Sequence, residues 1–226
     1  MRASICLLLI LLMLVSAFGS KESKNEDNCS NFKVEETAKN SSVQTGEYIW
    51  IPQHEVFTEG DYEFEKFHDE TCKIVHCSSN ELNIIVPETL QEHTVIGIGR
   101  FAFMNCEAES ITLPNTVEYI EASAFHWCPN LKHVEFGSGL KRIGLLAFNF
   151  CPKLESLHFP DGMKEMDGVC ISGCENLQEV YIPDSVTVIV GGIAYHDLCP
   201  KMVVVTPECS AARLYAEYDG LPVKSP

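Results

Sequence analysis

Ser110-Ile-Thr-Leu-Pro114, His133-Val-Glu-Phe-Gly137, Ser156-Leu-His-Phe-Pro160 and Glu179-Val-Tyr-Ile-Pro183 open four copies of one message between Ser110 and Cys199. Each opening leads through two spaced apolar residues (Val117/Ile120, Leu140/Ile143, Met163/Met166, Val186/Ile189). Each then reaches a small residue with a larger apolar one: Ala124-Phe125, Ala147-Phe148, Cys170-Ile171 and Ala194-Tyr195. A cysteine closes each copy: Cys128, Cys151, Cys174 and Cys199. A fifth copy runs earlier, from Asn83-Ile-Ile-Val-Pro87 through Ile98 and Ala102-Phe103 to Cys106. The closing cysteines are 22, 23, 23 and 25 residues apart. A period in the low twenties is the signature of a solenoid.

The alternation inside each opening assigns its side chains. Strand side chains point to opposite faces in turn, so Ile111 and Leu113 share one side and Thr112 faces the other. Val134/Phe136, Leu157/Phe159 and Val180/Ile182 repeat the inward pair. Proline ends the strand because it cannot donate to a ladder, and Gly137 takes that turning position in one copy. The second apolar pair reads as another short strand or extended turn, and the aromatic as a core plug. One coil of about 23 residues loses roughly 1–2 kcal/mol of backbone entropy per residue and buries five or six large apolar side chains at roughly 1.5–3 kcal/mol each. It needs neighbours on both faces, and the end coils need covers.

Cysteine is among the most buried residue types. Stacking sets Cys106, Cys128, Cys151, Cys174 and Cys199 in a ladder of core thiols about 4.8 Å apart, pointing parallel rather than toward one another. Cys170, at a small-residue position, belongs to the core as well. Cys29, Cys72, Cys77 and Cys209 lie outside the repeat positions and are the better candidates for disulfides in an oxidising compartment. Cys72 and Cys77, five apart on one straight strand, face opposite sides and do not join to each other.

The flanks read differently. Residues 1–19 have the pattern of a secretory signal: Arg2, an apolar run from Ile5 to Phe18, and small residues at Ala17 and Gly19. The run is short for a membrane span, which needs about 20 apolar residues. Residues 20–45 are polar and read as a disordered leader with glycosylation sequons at Asn28 and Asn40. Residues 46–82, with Tyr62 and Phe64 alternating with acids and Cys72 to Cys77 as a further strand, read as an N-terminal β cap. Residues 83–205 form the solenoid of about five coils, and 206–226 a C-terminal helical cap. In that cap Ser210 supplies the N-cap, Leu214 and Tyr218 fall on one face laid over the last coil, and Gly220 with Pro222 stop the helix.

The pattern Ile-Pro-x-Ser/Thr-Val-x-x-Ile-x-x-x-Ala-Phe-x-x-Cys-x-x-Leu, carried most plainly by Ile182-Pro-Asp-Ser-Val186 and Ala124-Phe-His-Trp-Cys-Pro-Asn-Leu131, resembles the BspA-type leucine-rich repeats. The likeness extends over roughly 61–223, including an ending like Ser210-Ala-Ala-Arg-Leu-Tyr-Ala-Glu-Tyr218. Departures are Gly137 for proline, Met163 and Met166 for smaller branched residues, and Cys170-Ile171 for Ala-Phe. The resemblance implies a β-rich solenoid of short strands, turns and 3-10 segments, and a role in adhesion or extracellular protein binding.

Charge and motifs narrow the function. The 226-residue chain has a formal net charge of −16, which disfavours nucleic acid and anionic lipid. No nucleophile elbow, phosphate loop or paired zinc histidines stand out. Cysteines at buried repeat positions are inert, and Cys72, His76 and Cys77 lack a fourth metal ligand at a usable spacing. His126, His133, His158 and His196 read as ordinary surface or half-buried histidines. No enzyme, cofactor or metal is expected.

The outward strand face remains. Its two columns are Ser110, His133, Ser156 and Glu179, then Thr112, Glu135, His158 and Tyr181. They predict a surface that binds an extracellular or cell-surface protein or glycoprotein, in a secreted chain that neither contacts nucleic acid nor inserts into membrane. A self-associating structural component of an extracellular coat or matrix, and a secreted enzyme inhibitor, are the competing readings.

Overall fold

The structure, a computed structural model, describes residues 55–226. The signal and leader segments, Asn28, Asn40, Cys29 and the first residues of the expected β cap, 46–54, lie outside the described residues.

An antiparallel meander comes first: β1 (Val56–Glu59), β2 (Tyr62–Lys66) and β3 (Thr71–Cys77). Next come β4 (Asn83–Ile85) and a tight hairpin of β5 (Thr89–Leu90) and β6 (His93–Ile98). The coils that follow repeat two strands each: β7 (Ser110–Thr112) with β8 (Tyr119–Ile120), then β9 (His133–Glu135) with β10 (Arg142–Ile143). A third short strand, β11 (Phe148–Asn149), precedes β12 (Ser156–His158), β13 (Glu165–Asp167) and β14 (Ile171–Ser172). β15 (Glu179–Tyr181), β16 (Val188–Val190), a 3-10 turn at His196–Leu198 and β17 (Val203–Val205) lead to α1 (Ala211–Tyr218) and β18 (Val223–Lys224).

Like strands of successive coils pair in parallel, giving each coil three rows. The second row is an unbroken ladder of β3, β6, β8, β10, β13 and β16, with Ile98, Ile120, Ile143, Met166 and Ile189 in one inward column. The first row is in two pieces, β4-β7-β9 and β12-β15-β17-β18. The third row holds only β11 and β14, and turns elsewhere.

The break in the first row falls where two phenylalanines meet. Phe136 and Phe159 meet at 5.2 Å between ring centroids, tilted by 32°, where the same position in the adjoining coils holds Leu113 and Ile182. One backbone bond still crosses the seam, Glu155 N–H to Lys132 O at 3.1 Å. Side-chain columns support the register elsewhere. Lys132 pairs with Glu109, and Lys141 with Glu118, each at 2.8 Å.

The core is a set of stacked columns. Phe103, Phe125 and Phe148 stack face to face at 5.2 and 5.0 Å, and the column continues with Ile171 and Ala194. Cys128 donates its thiol hydrogen to Phe103 O and Cys151 to Phe125 O at 3.1 Å, and Cys174 to Phe148 O at 3.5 Å. Each of these three thiols thereby has an acceptor one coil back, while Cys170 donates to Ile193 O one coil ahead at 3.9 Å. Cys106 is buried at one end of the series and Cys199 at the other.

Four expectations change. The parallel stack begins earlier than Asn83, because β3 already pairs in register with β6 through Ile74 and Ile98. Cys72 and Cys77 do not face opposite sides; both are buried in the core. A register shift opposite Glu63/Phe64 leaves Val75 as an extra residue and resets the alternation. In the last coil Ala194, not Tyr195, sits opposite Ile171, and Tyr195 is exposed. The two extra residues of that coil fall after Ala194, in the stretch that holds the 3-10 turn at His196–Leu198, since Met166 with Ile189 and Ile171 with Ala194 both keep an offset of 23. On α1, Leu214 and Tyr218 share a face, but it is the outer one, 44% and 76% exposed. The buried face is Ala211, Ala212 and Ala216, whose small side chains let the helix lie close against β16 and β18.

Gly137 takes the place of proline without a left-handed turn. A Cβ there would stand 2.1 Å from the carbonyl oxygen of Pro114 in the coil before it, so the position is fixed by close approach.

Candidate functional site

The first row presents its odd positions outward because the middle residue of each strand (Ile84, Ile111, Val134, Leu157, Val180, Val204) is buried. Backbone pairing aligns Asn83, Ser110 and His133, and in the next sheet Ser156, Glu179 and Val203. The second column is Ile85, Thr112 and Glu135, then His158, Tyr181, Val205 and Lys224, of which Val205 is buried. Ser110 with His133, Thr112 with Glu135, Ser156 with Glu179 and His158 with Tyr181 are therefore direct neighbours. The seam between β9 and β12 divides the eight into two groups of four.

Neighbours in a column hold one another. Ser110 Oγ donates to Asn83 Oδ1 at 2.7 Å, and Thr112 Oγ1 to Glu135 Oε2 at 3.4 Å. His133 Nε2 lies 3.8 Å from Glu155 Oε2, across the seam. Glu179 receives the ammonium of Lys224 at 2.6 Å. The rings of His158 and Tyr181 stack at 6.3 Å. Beside these strands Lys132, Lys153, Glu155, Asn176 and Gln178 line a polar groove of about 350 Å³.

Asn83, Ile85 and Lys224 were not among the expected face residues. The first two belong to the earliest copy, whose outward positions follow from the same alternation. Lys224 joins through β18, which lies outside the repeat spacing and carries no periodic signal.

The thiols are chemically quiet. Burial pushes Cys170 up to about 12. Cys151, Cys174 and Cys199 are held above the ordinary thiol range, first by hydrogen bonding to the thiol one coil earlier and also by burial. A thiol held protonated is a poor nucleophile and a poor metal ligand. Among the described residues no group of three or more His, Cys, Asp and Glu is placed to hold a metal ion. No helix among them is long and apolar enough to cross a membrane.

Parallel rungs about one coil apart, inward apolar columns and a row of short outward strands define a β-solenoid of leucine-rich repeats. The family described as "BspA type Leucine rich repeat region" matches residues 76–205 in six copies, more than half of the chain. The chain belongs to that family. Among solved structures, a leucine-rich repeat protein of T. pallidum is similar over 64% of this chain and 68% of its own, at 23% identity and a TM-score of 0.59. A leucine-rich repeat protein from Bacteroides capillosus matches 56% of this chain and 96% of its own at 26% identity, TM-score 0.51. One from Bacteroides ovatus matches 66% of this chain and 40% of its own at 26% identity, TM-score 0.56. No curated protein matches the chain.

Proposed function

We propose that the protein is a secreted, non-enzymatic recognition module whose outward first-row face binds an extracellular or cell-surface protein or glycoprotein. The observation that carries this reading is the paired alignment of hydroxyl, imidazole, carboxylate and phenol groups on hydrogen-bonded rungs, above all the stacked His158 and Tyr181 beside Glu179. Side chains fixed by a rigid scaffold lose little freedom on binding, which favours recognition. Secretion is inferred from the apolar run at 5–18, and the extracellular partner from membership in a family of repeat scaffolds that often mediate protein interaction.

The test uses the full chain expressed in eukaryotic cells. Its appearance in the medium checks secretion. Labelled protein is then offered to cell surfaces beside a Glu135→Ala/His158→Ala/Tyr181→Ala variant of equal stability. Saturable binding by the native chain and its loss in the variant is the expected result. Equal binding by both removes the first-row face from the account. Binding by neither, with assembly of the native chain detected by light scattering, makes a matrix component the better reading.

A further inference from the structure

The residue just before the first four repeat cysteines is Asn105, Trp127, Phe150 and Gly173 in successive coils, and all four have φ between 57° and 65°. A left-handed residue turns its side chain out of the path of its neighbours. Trp127 and Phe150 are 47% and 43% exposed and meet edge to face at 5.9 Å. His126 lies among them, 6.0 Å from Trp127, 6.2 Å from Phe150 and 6.1 Å from the exposed ring of Phe101. The Asn149 amide nitrogen lies 3.1 Å from His126 Nδ1, a distance at which it can donate, and burial holds this imidazole below its ordinary pKa. The result is an exposed apolar row of rings on the third row, away from the first-row strands.

The row stops at Gly173. A Cβ there would stand 2.5 Å from Phe150 Cδ1, so the ring leans over the glycine. Beside it opens a groove of about 410 Å³, lined by Phe150 and Leu198 and carrying Glu175 and Asp197. That volume is within the range of about 300–1,000 Å³ typical of ligand sites. Lys201 also lines it, with its ammonium given to Asn176 Oδ1 at 2.7 Å. Neither Glu175 nor Asp197 has an ion pair among the described residues.

We propose that this groove takes an arginine side chain from an extended segment of a partner protein, whose adjacent apolar residue lies on the Trp127–Phe150 rings. A guanidinium is flat, weakly hydrated and forked. It can stack on the face of Phe150 and donate charge-assisted hydrogen bonds to carboxylates; a sugar lacks the charge and a purely apolar chain lacks the donors. The chain's net charge of −16 attracts a basic segment from a distance. The site is built from third-row residues and stands apart from the first-row reading.

The probe is an end-blocked Gly-Arg-Leu-Gly peptide, with its lysine and citrulline counterparts, titrated into isotope-labelled protein and followed by amide shifts. Saturating shifts at Gly173, Glu175 and Asp197 are expected with the arginine peptide, and about tenfold or more weaker binding with citrulline, which keeps the shape and loses the charge. A Glu175→Gln/Asp197→Asn variant, with both changes on exposed groups, should lose affinity by a similar factor. Phe150→Ala should weaken binding as well. The Glu135→Ala/His158→Ala/Tyr181→Ala variant should bind the peptide normally, which separates this proposal from the first-row one. Absence of saturable shifts, equal affinity for the citrulline peptide, or full binding by the carboxylate variant overturns it. Concentration-dependent shifts at Trp127 and Phe150 without peptide assign the face to a second copy of the chain and overturn it too.

Discussion

A methyl group on Gly137 would press on the Pro114 carbonyl, so Gly137→Ala should destabilise the protein by about 1–3 kcal/mol through overpacking. An unchanged urea midpoint would mean that the two coils can separate there. The thiols give a second residue-level prediction. Burial raises Cys72 to about 11 and Cys170 to about 12 in the folded chain. Unfolded cysteines titrate near 8.5, so the folded state holds these protons more tightly. The stabilisation is whole below about pH 8.5 and is lost as pH rises toward the folded values, by about 1.4 kcal/mol per pH unit for each thiol. Between pH 8.5 and about 10.5, Cys72→Ala/Cys170→Ala should show a shallower fall of urea midpoint with pH than the native chain; parallel curves would contradict the assignment. Much at this scale was legible in the sequence, because inward positions repeat and a buried column tolerates few residue types. Trp127 and Phe150 were not legible as a surface. They sit in the two unspecified places before each cysteine, where a left-handed turn, and no alternation rule, decides direction. Cys72 and Cys77 were misread for a related reason, since one extra residue at Val75 is invisible to a period of two.

Among the elements, α1 separates two ideas of how a helix seals a coil. Its N-cap is sound: Ser210 Oγ accepts from Arg213 N at 3.1 Å and meets Thr206 Oγ1 at 2.7 Å. Ser210→Ala should cost about 1 kcal/mol, seen as a lower thermal midpoint. Leu214→Ala and Tyr218→Ala, on the outer face, should change stability by no more than about 0.5 kcal/mol, whereas Ala212→Leu should lower it by about 1–3 kcal/mol. The reverse order would put the leucine–tyrosine face against the solenoid. The sequence points to the larger apolar pair because hydrophobic burial scales with area. The structure favours the alanines because the helix axis must approach the last rungs closely, and only small side chains permit that. The length of α1 and its stops at Gly220 and Pro222 were readable from local chemistry alone.

For the whole molecule, stability passes from coil to coil, so the ends matter more than their size suggests. Removing residues 207–226 would strip α1 and β18 from the final rungs and uncover β17. The shortened chain should unfold at lower urea and associate as concentration rises, and light scattering that stays flat would show that the last coil needs no cover. The period was legible because every coil repeats it, whereas the third row, strand at β11 and β14 and turns elsewhere, was not. The gap in the first row was not, since it depends on two particular rings, Phe136 and Phe159, meeting across one boundary. That gap leaves the step from β9 to β12 with fewer ladder bonds than the other first-row steps. Its second row is continuous from end to end, while its first row is split between β9 and β12. Such a body should bend most easily at that one step, where a single backbone bond and the Phe136–Phe159 contact hold the first row together. A partner that touched only His158 and Tyr181 would meet a single sheet, whereas one that gripped His133 and Ser156 together would span the step, and its own length would set the bend.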